Sequence, residues 1–229
     1  MAVFLFLKLS DSLYGKTKPE HLYFSMRLFI NSILFLGLVL AVISVAFKFP
    51  PSDSSFATPA NHAHQKAKDK AAEIKPYLKQ KGFNERIVFL MDLSLHSGKE
   101  RFFVLDMQQD SIRKSGLVTH GSCNESFLEG RRYSNTAGSG CTSLGKYKIG
   151  KSYYGQFGLA WKLHGLDDSN SAAFKRFIVL HSHDCVPDTE SPEELCQSLG
   201  CPTVSPAFLQ YLKPIIDHSS KPILLWLYE

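Results

Sequence analysis

The stretch FIVLHSHDCVPDTESPEELCQSLGCPTVS, residues 177–205, holds the densest set of reactive side chains in a chain of 229 residues. Its opening, Phe177-Ile178-Val179-Leu180-His181, is aromatic and β-branched as in a buried strand, so His181 and His183 sit at a strand end. A loop with Asp184, Cys185 and Cys196 follows, and Ser198-Leu199-Gly200-Cys201 closes the run just before a helix opened by Pro206. A general base and a thiol on neighbouring loops are the minimum equipment for nucleophilic acyl transfer. An imidazole in reach takes the thiol proton, and the imidazolium then keeps the thiolate charged. Gly200 lets the backbone come close, which suits the amide N–H groups around Cys201 to hold an oxyanion, and the dipole of the helix after Pro206 favours a thiolate nearby.

On either side of this stretch the pattern is mostly strand. IVFLMDLSL (87–95) and RFFVLDM (101–107), joined across His96-Ser97-Gly98-Lys99, read as a hairpin. Further strands are expected at 116–119, 145–149, 159–163, 176–181 and 223–228, with helical pattern at 192–197 and 206–217. Many short strands with few helices predict a mainly β sandwich or barrel. Upstream, residues 64–81 form a helix with Ala67, Ala71, Ile74 and Leu78 on one side and Gly82 as its cap, where Pro76 kinks or restarts it. Trp161 and Trp226 fall in apolar strand runs and are expected in the core.

The net charge of +5 is unevenly placed, because residues 82–229 carry 15 Lys/Arg against 16 Asp/Glu. The basic excess therefore lies upstream, which argues against a nucleic-acid surface and suits a basic stretch beside a membrane. LFINSILFLGLVLAVISVAF, residues 28–47, has no charge and is long enough as a helix to cross the hydrocarbon layer. Lys16, Lys18 and Arg27 precede it and only Lys48 follows closely, so residues 1–27 are assigned to the cytoplasm and everything after Pro50 to the outside. The segment reads as an uncleaved anchor or as a signal peptide cut after Ala46; its length favours the anchor. Met26, followed by Arg27, is an alternative start. Residues 48–62 then form a Pro/Ser/Ala-rich linker, 63–82 a juxtamembrane helix and 83–229 the working domain.

Export changes how the five cysteines are read. An odd number in an oxidising compartment leaves one thiol over. Short loops suggest Cys123 with Cys141 and Cys185 with Cys196, freeing Cys201, although spacing leaves the connectivity open.

Taken together, the motifs resemble the L,D-transpeptidase catalytic domains of the YkuD type. In these a strand-borne His-Gly or His-Ser precedes Ser-x-Gly-Cys by roughly twenty residues, here His181-Ser182 and Ser198-Leu199-Gly200-Cys201. His120-Gly121, the run Thr142-Ser143-Leu144-Gly145-Lys146-Tyr147, and Leu163-His164-Gly165-Leu166-Asp167 are similar to the branch that ends in Gly-Cys-Pro. The resemblance covers about residues 86–228. It implies attack on the bond between a diamino acid and D-alanine in peptidoglycan stem peptides, through a thioester. Carried over, it makes Cys201 the nucleophile, His181 the base, the Ser182 carbonyl its orienter, and Gly200 and Cys201 the oxyanion donors. It also places His164, His183, Ser198, Leu199 and Pro202 about the substrate. Leu199 stands where the family usually has His, and Pro202 where it has Arg, His or Asn, and these positions shape the seat of the second substrate.

Other readings compete. His183 is the second candidate base, and His164 and His120 are each either core histidines or site residues. His181, His183, Cys185, Cys196 and Cys201 would offer zinc an N/S set, although without paired C-x-x-C spacing. The remaining alternatives are a hydrolase using the same acyl-enzyme and a non-catalytic wall-binding module. Neither a cofactor, nor a metal, nor an obligate protein partner is implied, since thiol acyl transfer needs none.

Overall fold

The computed structural model describes residues 59–229. Residues 1–27, the apolar segment 28–47 and most of the linker lie outside the described residues, among which no helix is long and apolar enough to cross a membrane.

Helix α1 spans Pro59–Lys81 and runs through Pro76 without a break. Ala63, Ala67, Ala71, Ile74 and Leu78 recur every three or four residues and are all buried, which gives the helix one apolar face. Gly82, at φ 72°, ends it, and Phe83 N–H returns to Leu78 O at 2.9 Å as in a Schellman cap. The sequence reading set this helix apart from the domain; its apolar stripe packs onto the sheet, sharing a core with Val88, Leu90, Phe103 and Leu224.

The sheet has eight strands in the order β3-β2-β1-β8-β4-β5-β6-β7. These are β1 Ile87–Asp92, β2 Phe102–Asp106, β3 Ser111–Gly116, β4 Gly145–Gly155, β5 Gly158–Gly165, β6 Val179–Ser182, β7 Thr203–Val204 and β8 Leu224–Tyr228. The expected hairpin is there, with Phe89 opposite Val104. The β1–β8 and β6–β7 pairs are parallel and the others antiparallel. Beyond β3, Val118 bridges to Val204 and Thr119 N–H donates to Thr203 O at 2.9 Å, so the two ends of the sheet meet and it curls towards a barrel.

Strand β1 shows why its sequence lacks the alternation of a half-buried strand. Ile87, Phe89 and Met91 join the larger core with Phe102, Trp161, Leu225 and α2 (Pro206–Asp217), while Val88 and Leu90 join a second core under α1. A strand covered on both faces reads as one hydrophobic run. Ser205 caps α2 by accepting from Phe208 N–H at 3.1 Å, and Phe208, Leu209 and Leu212 plug the larger core. Trp161 is buried as expected, whereas Trp226 is half-buried beneath Lys70 and Lys146.

Two expectations are corrected. The strand expected at 116–119 is instead the end of β3 plus a single bridge at Val118. Residues 192–197 form no helix. Six residues do not repay the cost of helix nucleation, and this stretch is tied elsewhere: Cys196 bridges to Cys185 and Leu195 N–H donates to Ser97 Oγ at 2.8 Å.

Leu78 is fully buried in the second core, so Leu78→Ala should cost about 2–5 kcal/mol. The measurement is a lowered midpoint in chemical denaturation with the slope unchanged.

Candidate active site

Two short parallel strands build the centre of the site. β6 carries His181 and β7 carries Thr203, directly opposite each other in register, so their side chains share a face. His181 Nδ1 lies 3.0 Å from Ser182 O, and a carbonyl only accepts, so Nδ1 bears the hydrogen and Nε2 is left with its lone pair. Thr203 Oγ1 stands 3.0 Å from that Nε2. Phe157, from the tip of the β4–β5 hairpin, stacks on the His181 ring at 4.8 Å and meets His183 edge-on at 6.1 Å.

Cys201 sits just before β7 and is the free cysteine, half-buried, since Cys123 pairs with Cys141 and Cys185 with Cys196. Its Sγ accepts from Val179 N–H at 3.4 Å and lies 3.8 Å from Phe177 O. In this resting arrangement the sulfur is bonded to the start of β6 and not to His181.

The loop before Cys201 is fixed almost entirely by backbone capture. Ser198 N–H donates to His120 O at 3.0 Å and Ser122 N–H donates to Ser198 O at 2.8 Å. Ser198 Oγ accepts Gly200 N–H at 3.1 Å and donates to Cys201 O at 2.7 Å. Gly200 has φ 111°, and a Cβ there would stand 2.5 Å from Cys141 O, so glycine is required on both counts. The same Cys141 O accepts from Arg176 Nη2 at 2.5 Å, and Arg176 Nη1 reaches Ser134 O at 2.8 Å. One guanidinium thus holds the 134–141 loop against the turn before Cys201.

His181, His183, Leu199, Cys201 and Thr203 line one cavity of about 470 Å³, with Phe157 over it and the Cys185–Cys196 disulfide in its wall. Ser198 lines it too. Two positions expected at the substrate lie elsewhere. Pro202 is buried beside the cavity, and His164 stacks on Phe174 at 4.6 Å over another part of the sheet. Gly200 N–H is turned onto Ser198 Oγ, so of the two amides expected to hold an oxyanion it is Cys201 N–H that has no partner among the described residues. His120 is a buried histidine: Nδ1 lies 3.1 Å from Arg101 Nη2, and burial, with Arg101 and Arg131 nearby, holds it down at about 4. The zinc reading loses two of its thiols to the Cys185–Cys196 bridge.

Burial pushes the Cys201 thiol above its usual value, opposed by the Val179 N–H and by the charge of Arg176. Burial likewise lowers the His181 imidazole, opposed by the Ser182 carbonyl and assisted by His183. Both shifts favour a neutral thiol beside a neutral imidazole, not the standing ion pair expected from the residue types alone. Thr203, Phe157 and Arg176 escaped the sequence reading. Only Thr203 left a trace, as the second residue after Cys201 on a short apolar strand.

A profile of the L,D-transpeptidase catalytic domain matches residues 60–228, and the chain belongs to that family. No curated protein matches it. Among solved structures it is similar to an L,D-transpeptidase from Mycobacterium smegmatis, at 10% identity over 63% of this chain and 59% of that one, with a TM-score of 0.38. It is also similar to the helical cell shape determining protein Pgp2 from Campylobacter jejuni, at 12% identity over 73% of this chain and 56% of that one, with a TM-score of 0.39. The chain therefore spans less than two thirds of the length of either structure.

Because the thiol is raised, alkylation of Cys201 by iodoacetamide should follow a titration centred above pH 9.0, with little reaction at neutral pH. A midpoint below 9.0 contradicts the neutral resting pair. Gly200→Ala should displace the turn and cut the alkylation rate measured at high pH.

Proposed function

We propose that this chain is a peptidoglycan-modifying cysteine acyltransferase, an L,D-transpeptidase that attacks the bond between a stem-peptide diamino acid and the D-alanine after it. The observation that carries this reading is the free thiol of Cys201 in one cavity with an imidazole whose Nε2 keeps its lone pair.

The chemistry follows from these positions. The sulfur leaves Val179 and Phe177, His181 Nε2 takes its proton, and the S–C bond forms at the carbonyl of the third stem residue. The negative charge that develops on the carbonyl oxygen is met by the Cys201 N–H. The tetrahedral centre collapses to a thioester as D-alanine departs with the proton held on His181. An amine of a second stem peptide then attacks the thioester and gives a proton to His181 Nε2; the C–S bond breaks as the amide forms, and the Cys201 sulfur takes that proton back. Ser182 orients the imidazole through its carbonyl, and the Ser198 hydroxyl holds the turn that presents Cys201. His183 and Leu199 line the cavity where the acceptor has to enter, Leu199 with 71% of its surface exposed. A reaction on wall stems places the domain outside the cytoplasmic membrane, in accord with two disulfides and with the apolar segment upstream.

Incubation with tetrapeptide-bearing muropeptides should release D-alanine, and Cys201→Ala should reduce release to background, as read by mass spectrometry. Cross-linked products mark transfer and free tripeptide stems mark hydrolysis, while no release from any muropeptide favours a non-catalytic module. Since His181 must be neutral to accept the proton and its pKa is lowered, acylation should hold down to pH 6.5 and fall only below it.

A further inference from the structure

We propose that Thr203 is a positioning residue for His181, its hydroxyl donating to Nε2 while the base is neutral and accepting from Nε2 once the base is protonated. The proposal rests on His181 acting as the base for Cys201. Its starting point is the tautomer: with the Nδ1 hydrogen on Ser182 O, the hydrogen in the 3.0 Å contact between Nε2 and Thr203 Oγ1 belongs to the hydroxyl. The resting lone pair is therefore already occupied, and the hydroxyl has to give way before the thiol proton can arrive.

The structure supplies the alternative partner. Cys201 O lies 3.4 Å from Thr203 Oγ1, so rotation about one bond turns the hydroxyl hydrogen from the imidazole to that carbonyl. The S–H bond of Cys201 breaks, an N–H bond forms at Nε2, and the sulfur keeps the electron pair that becomes the S–C bond. Thr203 keeps its own proton throughout and offers an oxygen lone pair to the new Nε2–H. One hydroxyl thus satisfies Nε2 in both protonation states, which no apolar side chain and no fixed donor can do.

Burial makes this necessary. Thr203 and His181 are both buried, and the Phe157 ring covers one face of the imidazole, so water has poor access to replace a missing acceptor. The titratable groups around the ring are His183, which disfavours its protonation, and the Cys201 thiol, with Arg176 acting on that thiol from behind. Among the described residues no carboxylate acts on the imidazolium, which leaves the Ser182 carbonyl and the Thr203 hydroxyl to support it. Backbone contacts keep Thr203 in place without its hydroxyl: its N–H donates to Thr119 Oγ1 at 3.3 Å and its O accepts from Thr119 N–H at 2.9 Å. A change confined to Oγ1 therefore tests the hydroxyl alone.

Hydrogen bonds to a charged donor are stronger than those to a neutral acceptor, so losing the hydroxyl disfavours the imidazolium on balance. Ring-nitrogen NMR of the full chain should show His181 protonated on Nδ1 at neutral pH, and its pKa should fall by about one unit in Thr203→Val. Thr203→Ser should restore it. In muropeptide turnover Thr203→Val should lower kcat about tenfold with KM unchanged, and Thr203→Ser should recover the rate. An unshifted His181 pKa in Thr203→Val, or a Ser variant as impaired as the Val variant, overturns the proposal. So does hydrogen on Nε2 in the unmodified chain, a result that requires no variant to fold. The NMR titration uses no substrate, so a shifted pKa in a chain that releases no D-alanine upholds the hydroxyl's role and sinks the acyl-transfer reading instead.

Discussion

The parallel pairing of β6 with β7, which sets His181 opposite Thr203, is the constraint on which the rest of the site depends. β7 is only two residues long and has no stability of its own. It is held by β6 on one side and by the Val118 and Thr119 backbone on the other, so the bridge that closes the sheet also seats the residues after Cys201. Closure of the sheet and placement of Thr203 opposite His181 therefore rest on the same two-residue strand.

The turn before β7 is held in the same economical way. Ser198 is bound through its backbone to His120 and Ser122, and its hydroxyl serves both Gly200 and Cys201. The Thr142 hydroxyl, donating to Gly200 O at 3.3 Å, then ties the turn before Cys201 to a distant loop, which Arg176 and the Cys123–Cys141 bridge hold in place. Charge plays a smaller part than geometry. Arg176 is the cation that lowers the thiol, and burial outweighs it.

Much of this was legible in the residues. The β1–β2 hairpin, the apolar stripe of α1 and the start of α2 at Pro206 follow from local pattern, because periodicity and an opening proline are local signals, and the two short-loop cysteine pairs that spacing suggested but left open are the ones formed. β3 was not legible, since SIRKSG is an exposed edge strand whose polar side chains carry no alternation of burial. Residues 192–197 imitate a helix start and are pinned by partners far away in sequence. In the site, Cys201, His181 and the Ser198–Gly200 turn were legible as a motif. Thr203 and Phe157 were not, because their contacts with His181 arise from strand pairing and from a hairpin tip, which sequence spacing does not encode. The neutral state of the thiol and imidazole was also hidden, as burial overrides the ion pair that the residue types suggest.

The Cys185–Cys196 bridge is a wall of the same cavity that holds Cys201. A wall made of a disulfide exists only where thiols are oxidised. Pairing four of the five cysteines thus leaves Cys201 as the one free thiol, and the bridge that completes the pairing also closes the wall of the cavity in which that thiol stands.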